Sequence, residues 1–192
     1  MDWLQVRLQA ALTGRYTVEQ ELGRGGMAVV FLGRDERLGR RVAIKVFERD
    51  ASATAADRFV REVQVAARLQ HPNIVPVFEA GEGEGLAYYV MPYITGASVR
   101  ERLEREGPLP VGDAVRIARE VAEALDHAHR AGIVHRDIKP DNILLADGVA
   151  MVADFGIARA LAEGGKGVTE PGVAIGTPNY MSPEQGAGSQ QV

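Results

Sequence analysis

The sequence contains no cysteine. Disulfide staples and thiolate chemistry are therefore excluded, and any metal would have to be held by oxygen or imidazole. A reducing cytoplasm is the expected setting, and a membrane anchor beyond Val192 is compatible with it. No apolar run approaches the roughly 18 residues that a bilayer span requires. The start of the chain carries Asp2 and Arg7 and lacks the apolar core of a secretion signal. No membrane contact is expected from this segment. Aromatic residues are scarce at 6%, and neither sign of charge dominates, with 22 Lys and Arg against 26 Asp and Glu. That balance gives no pull toward nucleic acid, which is not an expected partner. What the chain does have is an ordinary globular apolar content of 46% over 192 residues, enough for one domain or two small lobes.

Periodicity places the elements. Leu4, Leu8, Ala11 and Leu12 recur at helical spacing and predict a short amphipathic helix over 3–12 that ends at Gly14. Strand-like runs at 16–22, 29–34 and 41–47 are separated by Gly-rich or charged turns and read as an antiparallel meander. A helix is predicted over 55–69, broken by His71-Pro72-Asn73, with further strands at 74–80 and 86–91. From Ser98 the pattern turns helical: 98–106, stopped by Gly107-Pro108, then 111–131. In the longer helix Ala114, Ile117, Ala118, Val121, Ala124, Leu125 and Ala128 make one apolar stripe, closed by Gly132. A hairpin is predicted over 143–152, and residues from Asp154 onward read as loop, with no packing face visible in the closing "QGAGSQQV". The fold class is α+β, with five strands and one main helix in the first half and helices dominating the second.

Residues 23–30, Gly-Arg-Gly-Gly-Met-Ala-Val-Val, lie between two predicted strands. Glycines let backbone N–H groups approach an anion without Cβ interference, so the stretch reads either as a phosphate-covering flap or as an ordinary hairpin turn. A dinucleotide-binding reading is poorer, because a strand follows and the third glycine position holds Ala28. Lys45 stands inside the apolar run Val42–Val46, where a solvated edge lysine is one reading. Glu62 shares a helical face with Phe59, Val63 and Ala66, and a carboxylate on a buried face needs a partner. Arg58, one turn earlier, and Lys45 both qualify. The densest signal is "IVHRDIKPDNILL", residues 133–145, where apolar ends bracket Asp137, Lys139 and Asn142. Phosphoryl transfer needs a proton acceptor, a cation for the moving phosphoryl group and an oxygen ligand for Mg²⁺. Asp154-Phe155-Gly156 adds a second hard oxygen ligand at the start of a loop. His135 reads as a satisfied core histidine, and His71, His127 and His129 as structural or solvated, without metal-ligand grouping.

In chain order, residues 23–30, Val42 to Lys45, Glu62, His135-Arg136-Asp137, Asn142, Asp154-Phe155-Gly156 and Ser182-Pro183-Glu184 resemble the signature of eukaryotic-type protein kinases. The resemblance runs from Tyr16 to Glu184, and "GRGGMAVV", "HPNIV", "HRDIKPDN" and "GTPNYMSPEQ" are most similar to the bacterial serine/threonine kinases. It implies a two-lobed kinase-like fold: a helical extension over 1–14, a lobe of five antiparallel strands and a helix over 15–92, and a partial helical lobe over 93–192. It also implies ATP and Mg²⁺ as cofactors. Gly23, Gly25, Gly26 and Ala28 would cover the phosphates with backbone amides, and Lys45, held by Glu62, would grip the α- and β-phosphates. Leu22, Val30, Ala43, Met91 and Leu144 would enclose the adenine, with the Pro92 carbonyl and the Ile94 N–H available to its edge. Asp137 would accept or orient the proton of the substrate hydroxyl, Lys139 would lie against the γ-phosphate, and Asn142 and Asp154 would hold the magnesium ions. Lys139 and Thr177 follow the serine/threonine pattern. Thr169 is the implied phosphosite, its phosphate pairing with Arg136. Implied partners are proteins presenting Ser or Thr, and a homodimer in which the chain phosphorylates itself.

Ala28 and Pro92 depart from the pattern, but a methyl group is small and only the carbonyl of Pro92 is called upon. The ending is a larger departure. Similar kinases continue past Ser-Pro-Glu into helices that support the catalytic loop, supply a cation for Glu184 and form much of the substrate surface. The expectation is therefore a fragment, truncated after that motif. The second reading is a nucleotide-binding or interaction module of the same fold, impaired in catalysis. A small-molecule phosphotransferase is disfavoured by Lys139 and by residues 177–184.

Overall fold

A computed structural model of the chain describes residues 2–25, 28–48, 59, 63–155 and 178–186. The chain divides into two compact units, residues 1–67 with 77–93 and residues 68–76 with 94–192. Among the described residues no helix is long and apolar enough to cross a membrane.

The first unit opens with α1 (Trp3–Ala11). Its N-terminal cap is Asp2, whose carboxylate accepts the Leu4 N–H at 3.3 Å. Five strands follow: β1 (Tyr16–Arg24), β2 (Val29–Asp35), β3 (Arg41–Glu48), β4 (Glu79–Gly83) and β5 (Leu86–Pro92). They form one antiparallel sheet in the order β1-β2-β3-β5-β4. The period-two alternation of β3 divides the sheet into two faces. Val42, Ile44 and Val46 are at most 1% exposed and share an apolar cluster with Leu4, Leu8, Leu12, Phe31 and Tyr88, so α1 covers that face. Ala43, Lys45 and Phe47 point the other way, where the Phe47 ring lies 5.6 Å from Phe59 and 6.1 Å from Tyr89. At the rim of the α1 face Arg15 pairs with Glu79 and donates to the Tyr88 hydroxyl at 2.6 Å, while the Tyr16 hydroxyl donates to Glu79 at 3.1 Å. Burial, followed by the Glu79 charge, pushes the Tyr16 phenol up to about 12.

The second unit carries α2 (Val99–Glu106), α3 (Val111–Arg130), the hairpin β6 (Ile143–Ala146) and β7 (Val149–Val152), and the short α4 (Pro183–Gly186). A reciprocal capping box starts α2: Glu101 N–H donates to Ser98 Oγ at 3.1 Å, and Ser98 N–H donates to the Glu101 carboxylate at 2.7 Å. On α3 the stripe is narrower than its composition predicts. Ile117, Val121, Ala124 and Ala128 are buried, whereas Ala114 and Ala118 are exposed.

Two predicted elements differ in the structure. Residues 74–80 do not form one strand. Ile74 bridges Val152 in parallel, and Val75 N–H donates to the Val152 carbonyl at 2.9 Å, before β4 begins at Glu79. Pro76 offers no N–H, and Phe78 N–H then turns to the Val90 carbonyl of β5, so one apolar run serves two different partners. The loop predicted from Asp154 onward includes a 3₁₀ turn at Pro178–Tyr180 as well as α4. Of the helix predicted over 55–69, the described part is helical at 59 and 63–66 and has ended by Leu69.

Candidate active site

The segment 133–145 begins where α3 ends, after Gly132 takes a φ of 75° that turns the chain out of the helix. It runs without regular structure to a 3₁₀ turn at Pro140–Asn142 and continues directly into β6. The turn gathers the polar side chains onto Asp137. Lys139 Nζ lies 2.9 Å from Asp137 Oδ2, and Asn142 Nδ2 donates to the same oxygen at 3.1 Å and to the Asp137 carbonyl at 2.8 Å. Asn142 is 8% exposed and its main-chain carbonyl accepts the Ala153 N–H at 2.9 Å, joining the turn to the residue before Asp154. Both Asn142 amide hydrogens point at Asp137, so its amide oxygen is the atom left for a cation. That oxygen and the Asp154 carboxylate are hard donors of the kind that could hold Mg²⁺. Asp154 and Arg136 both sit at φ 67°, a conformation that ordinary side chains rarely adopt.

His135 is the satisfied core histidine that the sequence suggests. It is 2% exposed, its Nδ1 accepts the Asp137 N–H at 3.2 Å, and its Nε2 lies 2.8 Å from the Ala153 carbonyl. Those partners require a neutral ring protonated on Nε2, because a second proton on Nδ1 would face the Asp137 N–H. Burial accordingly holds its pKa below the ordinary imidazole value. The Phe155 ring packs edge-on against His135 at 4.7 Å. The His71 and His127 rings lie 5.2 Å apart, tilted by 34°, and His71 Nδ1 accepts the Asn73 N–H at 3.1 Å.

The hairpin between Asn142 and Asp154 is held from three sides. Glu120 on α3 accepts the Ala150 N–H at 2.7 Å, and Arg116 donates to the Gly148 carbonyl. Asn73 Nδ2 donates to the Ala150 carbonyl at 2.8 Å. At Gly96 a Cβ would fall 1.8 Å from the Leu145 carbonyl oxygen, so only glycine permits the approach that lets Leu145 N–H donate to Ala97 at 2.9 Å.

In the first unit, the register sets Val30 opposite Lys45, and Leu32 and Met91 opposite Ala43. Val30, Ala43, Lys45 and Met91 therefore share the sheet face away from α1. Leu22 is 39% exposed, and Pro92 closes β5. Gly25 N–H donates to the Ala28 carbonyl at 2.8 Å, closing the turn between β1 and β2. Among the described residues, a Cβ on Gly23 would meet nothing within 4 Å, and one on Gly25 only the Ala28 carbonyl at 3.7 Å. Packing against the described residues therefore does not demand glycine at either place. In the second unit Ile94 accepts the Gly96 N–H at 3.0 Å, and Leu144 pairs with Met151 on the hairpin. Gly26, Glu62, Gly156, Thr169 and Thr177 lie outside the described residues.

Three residues that the sequence reading passed over prove to be tied to this loop. Arg100 donates to the Tyr180 hydroxyl at 2.9 Å and places Nε 3.6 Å from Asp141 Oδ2. Glu120 holds the hairpin, as described. Gln185, in the tail read as having no packing face, donates to the Arg136 carbonyl at 2.8 Å. Its spacing from Ser182 is the sequence pattern of a capping box, a signal that could have located it.

A five-stranded sheet unit, a helical unit, and a loop carrying Asp137, Lys139 and Asn142 ahead of Asp154 together define a protein kinase. The chain belongs to that family, the protein kinase domain matching residues 16–191. It is 44% identical over 184 residues to the serine/threonine-protein kinase PknB of Mycobacterium tuberculosis (strain ATCC 25618 / H37Rv), covering 92% of this chain and 29% of that protein. A probable serine/threonine-protein kinase of Streptomyces coelicolor, SCO3848, is 44% identical over 186 residues, covering 93% and 28%. The chain thus spans less than a third of the curated relatives it matches. Among solved structures, the Mycobacterium tuberculosis PknI kinase domain superposes with a TM-score of 0.66 at 38% identity, over 76% of this chain and 61% of that one. Rad53 residues 1–466, solved in complex with AMP-PNP, gives 0.68 at 27% identity, over 74% and 38%. Helix α1 precedes the family match, yet its leucines lie in the core of the first unit.

Proposed function

We propose that the chain transfers the γ-phosphoryl group of ATP to Ser and Thr hydroxyls of proteins, its own included. The observation that carries this is the convergence of Lys139 Nζ and Asn142 Nδ2 on one oxygen of Asp137, at 2.9 and 3.1 Å. A carboxylate held at a fixed angle beside a cation and a metal-ligating amide is what an in-line transfer uses. As the acceptor oxygen bonds to the γ-phosphorus, the bond to the bridging oxygen breaks, ADP leaves, and the hydroxyl proton passes to Asp137. Lys139 offsets charge on the moving group. Asn142 and Asp154 would hold Mg²⁺, which supplies neutralisation of the phosphate oxygens when bound. Lys45, with Glu62 as its partner, and the amides of Gly23, Gly25, Gly26 and Ala28 serve the phosphates. Leu22, Val30, Ala43, Met91 and Leu144, with the Pro92 carbonyl and the Ile94 N–H, serve the adenine. AMP-PNP in the Rad53 complex supports nucleotide binding in this fold.

The test is transfer of label from γ-labelled ATP with Mg²⁺ to the chain and to a generic basic protein. Asp137→Asn should reduce it by at least about 100-fold. If neither the unaltered chain nor the variant labels anything, the reading fails, and stabilisation by nucleotide without transfer would instead indicate a binding module. Thr169 is the proposed activating phosphosite, pairing with Arg136. Undiminished activity in Thr169→Ala removes that assignment.

A further inference from the structure

Gln185 uses both ends of its carboxamide. Its Oε1 accepts the Ser182 N–H at 3.1 Å, while Ser182 Oγ accepts the Gln185 N–H at 3.3 Å, closing a reciprocal capping box. The amide orientation is thereby fixed, and Nε2 is the end presented to the Arg136 carbonyl at 2.8 Å. That carbonyl belongs to the peptide unit joining Arg136 to Asp137. The N–H of the same unit donates to His135 Nδ1 at 3.2 Å. One peptide plane, immediately before the carboxylate that the turn gathers, is thus pinned along both edges, by Gln185 on one and by His135 on the other. The pinning matters because Arg136 sits at φ 67°. A residue in that region relaxes unless its surroundings hold it, and rotation of the plane would swing the Asp137 side chain.

We propose that Gln185 is a positioning residue for phosphoryl transfer. Its side-chain N–H holds the Arg136–Asp137 peptide in place, sets the aim of Asp137 at the acceptor hydroxyl, and makes that aim depend on the seating of the segment 178–186. The same segment is tied to the loop a second time, by Arg100, which contacts both Tyr180 and Asp141. The inference rests on the kinase reading above.

Gln185→Glu retains size and the acceptor for Ser182 but sets an oxygen against the Arg136 carbonyl. Gln185→Met removes the donor without adding repulsion. In the 192-residue chain, kcat for a generic basic protein should fall about tenfold to 100-fold in Gln185→Glu, and by less in Gln185→Met. The KM for MgATP should stay within about twofold, because no group assigned to the nucleotide is altered. A role in packing alone predicts the reverse order, with the isosteric Glu the better replacement and kcat following thermal stability. Hydrogen exchange gives a readout independent of turnover: the Asp137 amide should exchange about tenfold faster in Gln185→Glu, as expected for a lost local restraint. The proposal is overturned by a Gln185→Glu variant whose kcat and Asp137 exchange both stay within about twofold, or whose loss appears equally in the KM for MgATP. If the unaltered chain transfers nothing, the kinase reading falls separately. The exchange result then still decides whether Gln185 restrains the peptide.

Discussion

At the scale of single residues, the site depends on which atom of each side chain faces its neighbour. Asn142 shows this most directly. Its amide hydrogens hold Asp137, which leaves its oxygen for the proposed Mg²⁺, so Asn142→Asp keeps an oxygen ligand yet places a second carboxylate against the first. We expect initial rates of transfer at least about 100-fold lower, the scale of losing one preorganised donor. Raising Mg²⁺ should not restore them, since the damage is to Asp137 rather than to metal affinity. Asp137, Lys139 and Asn142 were legible in the sequence because chemistry demands those types at short spacing. Gln185 and Arg100 were not, since their partners lie 49 and 80 residues away; the capping-box spacing from Ser182 marks Gln185 as a cap but does not reveal its bond to Arg136.

At the scale of elements, the strands and helices followed from period and punctuation, and the differences arose where one run had two partners. Residues 74–80 look like a strand because their apolar content is continuous, but Pro76 interrupts the N–H ladder and the two ends pair with β7 and β5. Helix α1 was predicted from four apolar positions, though its role as cover for the sheet was not. Leu8 is fully buried in that cover. Leu8→Ala should destabilise the chain by about 2–5 kcal/mol in urea unfolding. A loss below about 0.5 kcal/mol, typical of exposed sites, would mean that α1 does not hold the sheet. On the other unit, Glu120→Ala leaves the Ala150 N–H without its acceptor at a residue that is 0% exposed. The expected loss is about 1–3 kcal/mol, and Glu120→Gln, which retains an acceptor, should lose less.

At the scale of the whole molecule, two buried rings bound the pH range of stability. The unfolded His135 imidazole takes up a proton near pH 6.5, whereas the folded one resists it because of burial. The unfolded chain therefore binds more protons below that value, and stability, fully present above it, declines as pH falls toward the folded pKa. The Tyr16 phenol is pushed up to about 12, so the folded chain retains a proton that the unfolded chain releases near pH 10. Stability from this group is present below pH 10 and is lost as pH rises from there toward 12. Urea midpoints across pH should show both declines. His135→Phe should flatten the acidic one and Tyr16→Phe the alkaline one, and a variant with an unchanged slope would reassign that limb. The second break between the two units, after Tyr93, precedes the change from strands to helices at Ser98, and residues 68–76 belong to the second unit although the sequence shows no change of pattern that assigns them there. Residues 73–75 are bonded to β7, by Asn73 to Ala150 across 77 residues and by the pairing of Ile74 and Val75 with Val152. During synthesis at about 5–20 residues per second, Asn73 leaves the ribosome roughly 4–15 s before its partner does. Through that interval the stretch from His71 to Val75 lacks the strand it pairs with, so its place in the second unit is settled only once Val152 has followed it out.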